Sequence, residues 1–381
     1  MESKGAHEIR AAEVVLTCAD LDETLSFFTD RLGFRVVTVR PADDPSVVVI
    51  TGYGLRIRLQ RGGDGAPGVL RLLCRDPAVL AGGAAAELWA PNGTRVELAP
   101  WDPPLVLPTL RPSFVLTSRG DGSPWRVGRA GMRYRDLIPD RQGGRFIASH
   151  IVIPEGGPVP DYVHYHRVRF QMIYCYKGWV RVVYEDQGPP FIMNSGDCVL
   201  QPPRIRHRVL ESSPGLEVIE IGCPADHETE ADPELELPTK AVRPDRDFDG
   251  QRFVRHEVAA ASWSPGRIDG FESRDLGIGA ATNGLAGASV ARWRGDAPPR
   301  LCHHDAELLF TFVLDGSVTL QCEGREGNRL AAGDSFVVPG GVGHRLRECS
   351  EELELLEVTV PARFATTRHP REASTDGISR R

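Results

Sequence analysis

"DYVHYHRVRFQMIYCYKG", residues 161–178, decides how this chain is read. His164 and His166 stand two apart, Gln171 follows five residues later, and Gly178 closes the stretch. Aromatic and β-branched neighbours favour a strand. On a strand, residues two apart share a face. The competing reading is a strand with an ordinary polar face. A third histidine weighs against it: His207 follows the turn "PPRIRH" at the end of a second strand. Three converging neutral imidazoles make a site for Fe, Mn, Ni, Cu or Zn. Three protein ligands leave positions open for water, O2 or substrate, as catalysis requires.

The stretch is repeated. "MRYRDL" (132–137) matches "FESRDL" (271–276), and "SGDCVLQPPRIRHR" (195–208) matches "AGDSFVVPGGVGHR" (332–345). From His166 to Gly178 is 12 residues, as from His304 to Gly316. Short strands with Gly, Pro and Asp turns fill both copies and predict two all-β barrels or sandwiches. In the second copy Cys302 replaces the first histidine and Leu309 replaces Gln171, with His304 and His344 kept. Cys302, His304 and His344 could together hold a soft ion; the alternative is a decayed copy kept for packing.

Ahead of the repeats the pattern is mixed. "EVVLTC" reads as a strand, and Leu21, Leu25, Phe28 and Leu32 fall at helical spacing behind it. Asp20 with Glu23 makes a capping box, and Gly33 is placed as the C-terminal cap. Three β-rich runs follow, giving βαβββ, then a shorter echo that ends in a hairpin around Asn92-Gly93.

The two β copies resemble the cupin superfamily. Its first motif is H-x-H, three or four residues, Glu, six residues, Gly, matched by His164, His166, Gln171 and Gly178. Its second is Gly, five residues, Pro, any, Gly, two residues, His, matched by Gly196, Pro202, Arg204 and His207. Gln171 departs from glutamate and Arg204 from glycine. In the second copy the second motif is intact: Gly333, Pro339, Gly341 and His344. The pair looks like a bicupin. Residues 1–102 resemble the vicinal oxygen chelate or glyoxalase fold, but that family's metal positions fall at Glu13, Val69 and near Arg58 or Gln60, with only Glu97 matching. No metal is expected in that module; it would bind substrate, cover the barrel mouth or mediate dimerisation.

The expected architecture is mainly β: two cupin-type jelly-roll barrels behind a small α+β module. The expected boundaries are a module at 1–102, a linker at 103–125, barrel 1 at 126–225, a linker at 226–262, barrel 2 at 263–365 and a disordered tail at 366–381. The resemblance implies a non-haem Fe(II) dioxygenase, with Mn, Ni, Cu or Zn as other candidate metals and O2 as cosubstrate. His164, His166 and His207 would hold the metal and Gln171 would be a weak fourth ligand. Gln171 and Tyr174 are the expected catalytic side chains, Gln171 orienting substrate because an amide does not titrate. The alternatives are a cupin-type isomerase, epimerase or lyase using the metal as a Lewis acid, and a non-catalytic binding protein. Arg167 and Arg169 could clamp an anion, or pair with Glu185 or Asp186.

Bulk properties set the partners. A net charge of -7 gives no basic surplus for nucleic acid. No apolar run reaches the ~20 residues that span a membrane. Eight scattered cysteines without C-x-x-C pairs read as buried hydrophobes in a reducing compartment. A cytoplasmic homodimer acting on a small molecule is expected.

Overall fold

The computed structural model describes residues 9–369, except 19, 32, 53, 63–68, 82–85, 90–94, 121, 123 and 296–298. The expected turn at Asn92-Gly93 and the segment 370–381 lie outside the described residues.

The chain is mainly β, and each repeat folds as two sheets packed face to face. In the first unit a seven-stranded sheet centres on Phe170–Lys177, Leu216–Cys223 and Ile147–Ile153. Opposite lie Trp179–Tyr184, His207–Ser212 and His164–His166. Val180, Val182, Met193, Leu216 and Val218 form the core between them. The second unit repeats the plan around Leu308–Asp315 and Glu354–Val360, with its own core of Val313, Val318, Leu320 and Leu355.

The two seven-stranded sheets also pack on each other, back to back. Phe170, Met172, Tyr174, Ile219 and Ile221 meet Phe310, Phe312, Leu356 and Val358 there. A strand covered on both faces loses the polar half of its alternation. "FQMIYCYK" and "LLFTFVLD" therefore read as nearly unbroken apolar runs. Two buried arginines tie the units with matching bonds. Arg135 donates through Nη2 to the Gly333 carbonyl at 2.6 Å, and Arg274 through Nη1 to the Gly196 carbonyl at 3.2 Å. Gly196 and Gly333 are the equivalent first residues of the second motif.

The expected linkers are structural parts. Val115–Thr117, inside 103–125, pairs with Ser335–Val337 of the second unit. Val254–His256, inside 226–262, pairs with Cys198–Leu200 of the first. Each unit thus borrows an edge strand from the segment that precedes the other. Pairing satisfies backbone groups that a sheet edge leaves open, which proline-rich composition alone does not reveal. Likewise Thr366–Arg368, at the start of the expected tail, pairs with Cys302–His304.

In the N-terminal module the strand order is Arg35–Arg40, Val47–Gly52, Leu55–Arg61, Ile9–Cys18, Val69–Cys74, Arg95–Pro100 and Glu87–Trp89. Helix Leu21–Ser26 starts at Asp20, whose Oδ1 accepts from the Glu23 N–H at 2.8 Å. Gly33 takes the left-handed φ of 74° expected at the C-terminal end. The buried Glu13 carboxylate pairs with Arg56 at 3.2 Å. This sheet does not end at the module. Arg35–Arg40 pairs with Thr229–Ala231, which pairs with His164–His166. One continuous 13-stranded sheet therefore runs from the N-terminal module to the histidine strand.

Candidate metal centre

The short strand His164–His166 carries two buried histidines on either side of a half-buried Tyr165. His164 pairs in register with His207 and with Ala231 on its other side. The ligand atoms of His164, His166 and His207 all lie within 4.8 Å of one another, and all three rings are buried. Each ring is held from behind. Nδ1–H of His164 donates to the Tyr162 carbonyl at 2.8 Å and Nδ1–H of His207 to the Ile205 carbonyl at 3.0 Å. A carbonyl only accepts, so these two rings carry the proton on Nδ1 and the lone pair on Nε2. The Thr229 hydroxyl holds Nδ1 of His166 at 3.0 Å. Outer partners of this kind orient metal-binding imidazoles.

Two further observations fit the residues to a divalent cation. Nε2 of His164 is buried with no hydrogen-bond partner. Burial also holds all three imidazoles below their ordinary titration range, His207 down to about 4, so they stand neutral as ligands. A cation at the convergence of the three Nε2 atoms would satisfy both.

The motif turns follow the same logic. Gly178 has φ 76°, and a Cβ there would stand 2.3 Å from Ser213 Oγ. Its counterpart Gly316 has φ 71° and meets Ser350 Oγ at 2.4 Å in the same way. Arg204, at the motif's glycine position, holds φ 61°, which costs a non-glycine residue free energy. Its guanidinium is fixed by Asp102 at 2.6 Å, and its N–H donates to the His166 carbonyl at 3.1 Å. In the second unit Gly341 takes the equivalent positive φ of 81°.

Beside the histidines lies a cavity of about 100 Å3 between the two sheets of the first unit. Alternation decides which side chains reach it. Ile173 faces the cavity, whereas Phe170, Met172, Tyr174 and Tyr176 face the core between the units. Tyr174, an expected catalytic residue, therefore points away from the site. Its even position on the strand puts it on the opposite face from Ile173. Gln171 shares the face of Ile173 but does not line the cavity; its Nε2 donates to Oε1 of Glu220 at 2.5 Å. Arg167 pairs with Asp102, Glu228 and Glu230 at 2.8–3.6 Å, not with Glu185 or Asp186. Those two acids are held by Arg246 and Arg243.

Several site residues went unread in the sequence. Glu220 lines the cavity, and burial raises its carboxyl above the ordinary 4.5. Its signal was there: Leu216 and Val218 share its face, so a glutamate stands where alternation calls for a hydrophobe. Asp161 opens the quoted stretch. It ion-pairs with the buried Arg129 and accepts from the Val209 N–H at 2.9 Å, joining the two histidine-bearing strands. His227 lines the cavity with its ring 5.4 Å from that of His166. Asp43 and Ala42 reach in from the N-terminal module.

The second unit does not bring its candidates together. His304 donates through Nε2 to the Val338 carbonyl at 3.0 Å and accepts at Nδ1 from the Ala306 N–H at 3.1 Å. Both ring nitrogens are spent on the backbone, so Cys302 and His344, 3.8 Å apart, lack the third donor. Among the described residues the one cluster with metal-ligand geometry is His164, His166 and His207.

Fold and site together give a duplicated β-sandwich with, among the described residues, one histidine triad. Residues 293–359 match the cupin domain family, so the sequence-level match falls on the unit that lacks the triad. No curated protein sequence matches the chain. Among solved structures, a point mutant of salicylate 1,2-dioxygenase from Pseudoaminobacter salicylatoxidans in complex with gentisate is similar at 15% identity. The alignment covers 70% of this chain and 88% of that one, with TM-score 0.51. Oxalate decarboxylase of Bacillus subtilis is similar at 14% identity over 69% of this chain and 80% of that one, TM-score 0.49. The Lactobacillus farciminis oxalate decarboxylase formate complex matches at 14% identity over 69% and 89%, TM-score 0.48. No helix among the described residues is long and apolar enough to cross a membrane.

Proposed function

We propose that the first unit is a metal-binding cupin barrel and that the protein is a non-haem dioxygenase acting on a small oxygen-chelating substrate. The observation that carries this is the buried, partnerless Nε2 of His164 beside His166 and His207, the latter two lining a cavity. Fe(II) is the metal of first choice, followed by Mn, Ni, Cu and Zn. Three neutral imidazoles leave its full charge and its remaining positions for substrate and O2, so it would act as Lewis acid and electron conduit. The buried Oε1 of Gln171, which has no hydrogen-bond partner, is the atom through which Gln171 would serve as a weak fourth ligand. The second unit serves as a packing partner, and residues 9–100 as a vicinal oxygen chelate-like module.

The chain's own residues set the rest. Tyr162 and Ile205 hold two of the rings in the ligand tautomer, and the Thr229 hydroxyl holds the third, His166, in place. Ile151, Ile173, Val182 and Leu216 give the cavity an apolar wall. An engineered apolar cavity of ~150 Å3 holds benzene. A cavity of about 100 Å3 fits a substrate of a few heavy atoms.

One observation favours a second reading. Glu220 is a buried carboxyl at the cavity wall with a raised titration range, as proton transfer to or from a substrate requires. That suits an isomerase, epimerase or lyase in which the metal only polarises a carbonyl. Elemental analysis of the purified protein, followed by O2 consumption with Fe(II) against short hydroxy and keto acids, separates the two. O2 uptake establishes the dioxygenase; substrate turnover with Mn or Zn and no O2 uptake establishes the second; absence of retained metal removes both.

A further inference from the structure

The N-terminal module reaches the cavity of the first unit directly. Its strand Arg35–Arg40 continues the sheet that carries His164 and His166. Arg40 clamps Asp226 with two bonds of 3.0 Å. The loop that follows is closed on itself by the Ser46 N–H donating to the Arg40 carbonyl at 2.9 Å. It seats Ala42 against Gly128, where a Cβ would stand 3.0 Å from the Ala42 carbonyl oxygen. Ala42 and Asp43 line the cavity as a result.

Asp43 is 8% exposed. Its Oδ2 accepts from Arg141 Nη2 at 2.6 Å. Its Oδ1 is buried and has no hydrogen-bond partner. A carboxylate oxygen left so in the interior costs free energy unless something donates to it. Nothing among the described residues does, and Asp43 borders two spaces, this cavity and a pocket it shares with Arg126, Asp136 and Arg141. A ligand in the cavity that carries a donor would satisfy it from the histidine side.

The other walls define the rest of that ligand. Ile151, Ile173, Val182, Met193 and Leu216 offer only aliphatic surface. The fixed charges nearby are Arg129 with Asp161, Arg141 shared between Asp43 and Asp136, and the Glu220 carboxyl, which burial pushes toward its neutral form. A divalent cation on the histidines would leave surplus positive charge, which an anionic oxygen of the ligand would meet.

We infer that the N-terminal module is a built-in wall of this site, and that Asp43 Oδ1 accepts a hydrogen bond from the hydroxyl of a short aliphatic hydroxy acid. This rests on the proposed metal centre for the anionic half of the ligand, and on Asp43 alone for the hydroxyl half. It assigns the module a substrate-selecting role.

Lactate and propionate are suitable probes, since they differ by one hydroxyl. Isothermal titration of the metal-loaded protein should show lactate binding about tenfold or more tighter than propionate, the worth of one hydrogen bond to a charged group. Asp43→Leu is close in volume and offers the hydroxyl neither an acceptor nor a donor. It should cut the preference to below about twofold, with unchanged metal stoichiometry reporting that the first unit is still folded. Ala42→Phe, which fills the cavity from the module side, should abolish binding of both acids and also leave the metal in place. Equal affinities in the wild type, or a preference that survives Asp43→Leu, would overturn the hydroxyl assignment. Undiminished binding by the Ala42→Phe protein would overturn the wall assignment. If the wild type retains no metal, the metal-centre reading fails separately; the lactate preference of that metal-free protein still decides the role of Asp43.

Discussion

Nε2 of Gln171 donates to Oε1 of Glu220 at 2.5 Å inside the first β unit. The motif position where the family carries an acid holds an amide here, and the acid stands instead on the neighbouring strand, paired to that amide. Burial raises the Glu220 carboxyl, and the Gln171 bond partly offsets the effect. The folded chain thus binds a proton that the unfolded chain releases above 4.5. The sign follows: stability of the metal-free protein falls as pH rises through 4.5, and levels off once Glu220 ionises in the folded state. Glu220→Gln removes that fall, so its melting temperature exceeds that of the wild type near neutral pH and matches it at low pH. A melting curve of both proteins across pH checks this; parallel curves would refute it.

His166→Ala and His207→Ala each remove one of three donors. Two imidazoles cannot close the site, and either variant should purify with metal content reduced at least about tenfold, the lower end of the loss on removing supporting groups alone. Full occupancy by elemental analysis in either variant would displace the assignment.

Cys302→Ala should leave metal stoichiometry at the wild-type value. The reason lies in His304, whose two ring nitrogens are bonded to Val338 and Ala306. Loss of half the metal would mean that the second unit rearranges to bind an ion.

Tyr174→Phe should leave metal content and lactate affinity unchanged while costing about 1 kcal/mol of stability for the lost hydrogen bond to Arg274. Its side chain belongs to the core between the units, beside Met172 and Phe310. Urea denaturation measures the loss. A change in metal content or affinity instead would return Tyr174 to the site.

Much of this was written in the sequence in local form. The spacing of His164, His166 and Gly178 fixed a strand and its turn, because period two and a positive φ are properties of a few adjacent residues. The repeat fixed the duplication, and Asp20, Glu23 and Gly33 fixed the ends of the first helix. His207 was legible as a third ligand only because its motif has a set length.

Tertiary structure decided what depends on partners far apart in the chain. Tyr174 packs in the core between the units and not on the cavity; both faces of its strand are buried, so composition could not say which face is the cavity. Val115–Thr117 and Val254–His256 read as linkers because the edges they cover belong to other units. Asp43 entered the site through a sheet that joins residues 35–40 to 229–231. A carboxylate oxygen buried without a donor is a relation among surfaces that meet only after folding, and no window of sequence contains it.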